Sequence, residues 1–89
     1  MLQKIKQSLR ITHSELDVEL DDLINAAKVD LLISGVKNQP NDDALILRAI
    51  TIYCKAHFGL DNAEAERFEA SYTALKSHLS LCGDYNGNV

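Results

Sequence analysis

Two residue pairs have the types and spacing of metal chemistry: Cys54-x-x-His57 and His78-x-x-x-Cys82. Thiolate and imidazole at such intervals are what a tetrahedral zinc site uses. The elements that must carry them argue against such a site. If the segments before and after Gly59 are antiparallel helices, position 57 lies opposite about 64 and position 78 opposite about 43. The two pairs then stand roughly ten residues apart, or ~15 Å at helical rise. A single chain does not close a tetrahedral site over that gap. Both cysteines read as structural thiols in apolar helical surroundings, without the pattern of a disulfide scaffold.

The three histidines are the remaining candidates for acid–base work. None has a nucleophile in a recognisable arrangement with it. His57 falls on an apolar face and reads as a core histidine, while His13 falls in a capping loop. No cofactor-binding, catalytic or metal-binding pattern is present, and the chain does not read as an enzyme.

The carboxylates Glu15, Asp17, Glu19, Asp21 and Asp22 crowd a short stretch. They lack the glycine and loop spacing of a calcium-binding EF-hand. At the start of a helix they oppose its positive dipole end, which is their simplest role. They also complement the basic Lys4, Lys6 and Arg10 just upstream. In a head-to-tail ring the acidic patch of one copy would meet the basic patch of the next. The same acidic face would equally line a pore through which DNA slides without sticking.

At 89 residues the chain is one small domain. Its hydrophobic fraction of 46% is that of a globular protein, but aromatics reach only 6% and Trp is absent, so the core is aliphatic. Such a core rarely supplies more than ~3–5 kcal/mol. Without disulfides or a metal, self-association is the remaining common source of stability. With 9 Lys and Arg against 13 Asp and Glu, the net charge is −4. That is the wrong sign for a dedicated nucleic-acid binder. No stretch approaches the ~20 apolar residues of a membrane span, and no signal-peptide run opens the chain. It reads as a cytosolic protein.

The apolar spacing predicts four helices. Leu2, Ile5 and Leu9 form the stripe of a short first helix. Thr12 with Glu15, or Ser14 with Asp17, has the spacing of a capping box for the second. That helix is expected over about Glu15 to Ser34, with Leu16, Leu20, Leu23, Ile24, Ala27 and Leu31 inward and Gly35 ending it. A loop over residues 37–41 contains Pro40, and Asp42 or Asn41 caps the third helix, which runs to Phe58. Ile46, Ile50, Tyr53 and His57, widened by Leu45, Ala49 and Ile52, make this helix apolar on most sides and therefore central. Gly59 suits a helix end, and Asp61 or Asn62, with Glu64, suits the next start. The fourth helix begins near Ala63, buries Phe68, Tyr72, Leu75 and Leu79, and frays by Cys82-Gly83. No strand alternation and no internal repeat is visible. The expectation is an all-α compact bundle of four helices over residues 1–83, with a flexible tail at 84–89.

Several stretches, taken in order, resemble the head–tail connector family of tailed phages. Leu2-x-x-Ile5-Lys6-x-Ser8-Leu9-Arg10-Ile11 is similar to the family's opening helix, and His13-Ser14-Glu15-Leu16-Asp17 with Leu23-Ile24-x-Ala26-Ala27 to its long acidic helix. Leu47-x-Ala49-Ile50-x-Ile52-Tyr53-x-Lys55-Ala56-His57-Phe58-Gly59 resembles the third helix, and Phe68-x-x-x-Tyr72-x-x-Leu75-Lys76-x-His78-Leu79 the last. Each stretch is helix patterning with a few polar markers; order and combined length carry the match. The resemblance implies a structural subunit of a phage or prophage, docking beneath the portal protein as a ring that is dodecameric on a matching portal. Such a ring extends the DNA channel, close to DNA but without sequence-specific binding, and offers a platform to a tail-side completion protein. It implies residence at the head–tail junction of the virion, in the host cytoplasm during assembly, with no membrane contact and no catalytic residues. Candidate subunit or partner contacts are Lys4, Lys6, Arg10, Glu15, Asp17, Glu19, Asp21, Asp22, Asn38, Asp84 and Tyr85. The competing expectation is a small cytosolic helical adaptor or regulator that binds one protein partner. A helical DNA-binding regulator is disfavoured by charge.

Overall fold

A computed structural model describes residues 1–58 and 63–87. Five helices follow in order: α1 (Leu2–Leu9), α2 (Asp17–Ile33), α3 (Ala44–His57), α4 (Ala65–Leu81) and the short α5 (Gly83–Asn86). No strand occurs among the described residues. The fold is all-α, as expected, and none of its described helices is long and apolar enough to cross a membrane.

α3 is the central element, packed against α1, α2 and α4. Its Ile46, Ala49, Ile50 and Cys54 are fully buried, and they meet Ile5 of α1, Leu20, Ile24, Ala27 and Leu31 of α2, and Tyr72 and Leu79 of α4 in one core. Removing each large aliphatic side chain from water contributes about 1.5–3 kcal/mol. Leu45 departs from the expected inner face and is 41% exposed.

The helix ends are set by local chemistry that differs in part from the sequence expectation. Asp43, rather than Asp42 or Asn41, caps α3, with its Oδ1 accepting from the Leu45 and Ile46 amides at 2.9 and 3.1 Å. α2 begins at Asp17 behind Leu16, and neither Thr12 nor Ser14 caps it through a side chain. The chain enters instead through a backbone turn, the Asp17 amide donating to the Ser14 carbonyl. At the other end Gly35 (φ 103°) closes α2, with its amide on Leu32 O and that of Val36 on Leu31 O. This is the Schellman arrangement, and it buries Val36 completely. α4 begins at Ala65, two residues later than expected. The corner assigned to Gly59, Asp61 and Asn62 lies outside the described residues.

Of the tail expected at 84–89, residues 84–87 are described. Residues 83–86 form α5, and the segment is anchored on the loop before α3. Asn38 donates from its backbone amide to Tyr85 O and from Nδ2 to Asp84 O, both at 2.9 Å. These long-range hydrogen bonds join the segment to the loop, a contact that breaker residues alone do not suggest.

Candidate functional site

Asp30 of α2 receives the Tyr72 hydroxyl at 2.6 Å and the Lys76 ammonium at 3.0 Å, both from α4. The Tyr72 hydrogen bond, helped by Lys76, holds the Asp30 carboxyl below its ordinary range. Burial, with that same bond, drives the Tyr72 phenol strongly upward. Tyr53 stacks edge-on against Tyr72 at 5.2 Å. The Tyr72 hydroxyl and the Lys76 ammonium converge on one Asp30 oxygen, so the cluster locks α2 to α4.

The Cys54 thiol is buried, which pushes its pKa up to about 12 and leaves it unreactive. Among the described residues no three His, Cys, Asp or Glu side chains gather as a metal set. His57 is not the core histidine expected: its side chain is 38% exposed and its Nε2 lies 3.0 Å from Glu69 Oε1. It shares the azimuth of Ile46 and Ile50 but sits at the last turn of α3, beyond the buried Cys54.

The candidate contact residues separate into three groups. Lys6 and Asp17 meet each other within one chain, Nζ to Oδ1 at 2.8 Å, with only 9% and 30% of their side chains exposed. Asp17 Oδ1 is enclosed and makes no hydrogen bond, so the Lys6 charge is its compensation. Neither is presented to a neighbour as a free charge. Lys4, Arg10, Glu15, Glu19, Asp21 and Asp22 remain exposed. Arg10 also holds a left-handed conformation (φ 59°, ψ 38°) at the end of α1. The third group is Asn38, Asp84 and Tyr85, which the fold brings together, and the Tyr85 hydroxyl continues to the Asp43 carboxylate.

The sequence reading missed two surfaces. On α2, Val18, Val29, Leu32 and Ile33 are 78%, 54%, 51% and 79% exposed. They share the face opposite Leu20, Ile24, Ala27 and Leu31 at helical spacing. The signal was present, but apolar residues on both faces blur the stripe that marks a one-sided helix. The second surface is a groove of about 240 Å³ between α3 and α4, lined by Arg48, Thr51, Ile52, Lys55, Arg67, Phe68 and Ser71. Arg67 and Lys55 both lie over the Phe68 ring, at 5.6 and 5.8 Å. The basic residues are scattered over two helices, so no run in the sequence reveals them.

The single chain thus leaves apolar and basic surfaces facing outward, while Asp30, Tyr72 and Lys76 tie its helices together. No curated protein and no solved structure gives a significant match to the chain. The family model for phage connector proteins matches residues 1–86, nearly the whole sequence. The chain belongs to the phage connector protein family.

Proposed function

We propose that this chain is a structural subunit of the head–tail junction of a tailed phage or prophage. Copies assemble as a ring beneath the portal protein, prolong the DNA channel and present a platform to a tail-side completion protein. The match of the connector family model over residues 1–86 carries this reading. An exposed apolar face on α2 supports it, since a connector must be covered on several sides. The net charge of −4 fits a channel component that DNA passes without adhering. The ring is dodecameric where the portal is. The subunit works in the virion, and in the host cytoplasm while the particle is built.

The loop around Pro40 and the C-terminal segment are proposed as the portal-side or tail-side contact. In the single chain they hold each other through Asn38, Asp84 and Tyr85. Deleting residues 84–89 is expected to weaken attachment to the portal while the helical content of α1–α4 persists. Co-purification of the truncated and full-length chains with portal particles measures this, and equal attachment by both removes the segment from the contact.

A further inference from the structure

We infer that successive copies of this chain dock head to tail, the outer face of α2 on one copy seating on the α3–α4 groove of the next. The inference rests on the connector reading for its ring and adds the two faces that make the contact.

The two surfaces complement one another. The outer face of α2 carries Asp22 in line with Val18, Val29 and Ile33, with Asp21 beside it, all exposed. It is therefore acidic toward the start of the helix and apolar toward its end. The groove pairs an apolar floor, Ile52 and Phe68, with the cations Arg48 and Arg67. Arg67 has an ion pair to Glu64 at 3.0 Å, but both groups are more than half exposed, and such a pair contributes little. An apolar strip with carboxylates thus matches an apolar floor with guanidiniums, burying area and pairing charge together.

Their placement decides the symmetry. On α2 the residues opposite this face are in the core. On α3, Arg48, Thr51 and Lys55 lie opposite Ile46 and Ile50, which are also in the core. Since α2 packs on α3, the two surfaces stand back to back, and one chain cannot satisfy both. Two unlike surfaces on opposite sides make a heterologous contact, which closes into a ring when the rotation permits.

The test uses the full chain at the highest concentration it tolerates, as an equal mixture of unlabelled and nitrogen-15-labelled protein. A zero-length carbodiimide reagent then joins carboxylates to amines, and mass spectrometry reads the mixed-isotope links. Links from Asp21 or Asp22 to Lys55 are expected. Links from Asp22 to Lys28 of another copy, indicating face-to-face α2 pairing, or no mixed links at all, would overturn the inference. Ile33→Asp and Arg48→Glu, both at exposed positions, provide a second readout, with circular dichroism checking that each variant stays folded. Each variant alone should lose self-association by at least about tenfold, whereas their mixture should form a one-to-one pair and nothing larger. Failure of the mixture to pair overturns the contact. Portal binding by the unmodified chain is measured in parallel. If the portal is bound but the links are missing, this contact is wrong and the connector reading stands. If the links form but no portal is bound, the connector reading fails and the contact stands.

Discussion

The Tyr85 hydroxyl donates to the Asp43 carboxylate, lying 2.9 Å from Oδ2 and 3.1 Å from Oδ1. The same carboxylate caps the central helix through the Leu45 and Ile46 amides. One acidic side chain therefore starts α3 and anchors the C-terminal segment. The Ile46 amide first, and then the Tyr85 and Leu45 bonds, lower its pKa. Because the two roles share a group, Asp43→Ala is predicted to lower the urea midpoint more than Tyr85→Phe. Their double variant should fall short of the sum. Strict additivity in this double-mutant cycle would show that the segment is not held through Asp43.

Acid should release the α2–α4 lock. The Asp30 carboxyl is lowered from 3.8 in the folded state, chiefly by Tyr72 and then by Lys76. A depressed folded value means its stabilisation is fully present above the unfolded pKa and is lost as pH falls through the folded one. Urea midpoints measured from neutral pH downward should therefore fall below pH ~4. Asp30→Asn should be less stable at neutral pH and show a shallower acid decline. An unchanged slope in the variant would remove Asp30 from the account.

Arg10 is the only described non-glycine residue with positive φ. A left-handed conformation costs a side-chain-bearing residue roughly 1–2 kcal/mol. Glycine would relieve it at some entropic cost in the unfolded chain, so Arg10→Gly is predicted to stabilise the monomer by about 0.5–1 kcal/mol. If the exposed guanidinium serves assembly, the same variant should attach less well to the portal. A stabilised variant with undiminished attachment would leave Arg10 as local strain without a role in docking.

The Lys6–Asp17 pair is internal, so its removal should be felt by the isolated subunit. Lys6→Met leaves the enclosed Asp17 Oδ1 without a cation. The expected loss is about 1–3 kcal/mol, the scale of an uncompensated buried polar group. Thermal unfolding at low protein concentration measures it. No change there would mean that the pair carries no weight in the subunit and that both charges are available to a neighbour.

Much of the fold was legible because its core repeats at helical spacing. Leu20, Ile24, Ala27 and Leu31 announce α2, and Phe68, Tyr72, Leu75 and Leu79 announce α4, whatever they pack against. Gly35 was readable as a stop because its left-handed backbone is a local property. Caps were harder: Asn41, Asp42 and Asp43 all suit an N-cap, and it is the third whose carboxylate takes the Leu45 and Ile46 amides and also holds Tyr85. The contact surfaces were least legible. A charge run at the start of α2 attracts attention, yet Lys6 and Asp17 neutralise each other inside the chain. Val18, Val29, Leu32 and Ile33 look like core residues until the opposite face of the same helix is seen to be buried. Arg48 and Arg67 come together only through the packing of α3 on α4.

The central claim is that this chain docks on a portal as a ring, and electron microscopy of portal particles saturated with the purified protein tests it most directly. The account predicts one added ring, coaxial with the portal and of matching rotational order, that prolongs the channel. Portal particles without added density at saturation, together with a twofold dimer of the chain at every concentration, would contradict it.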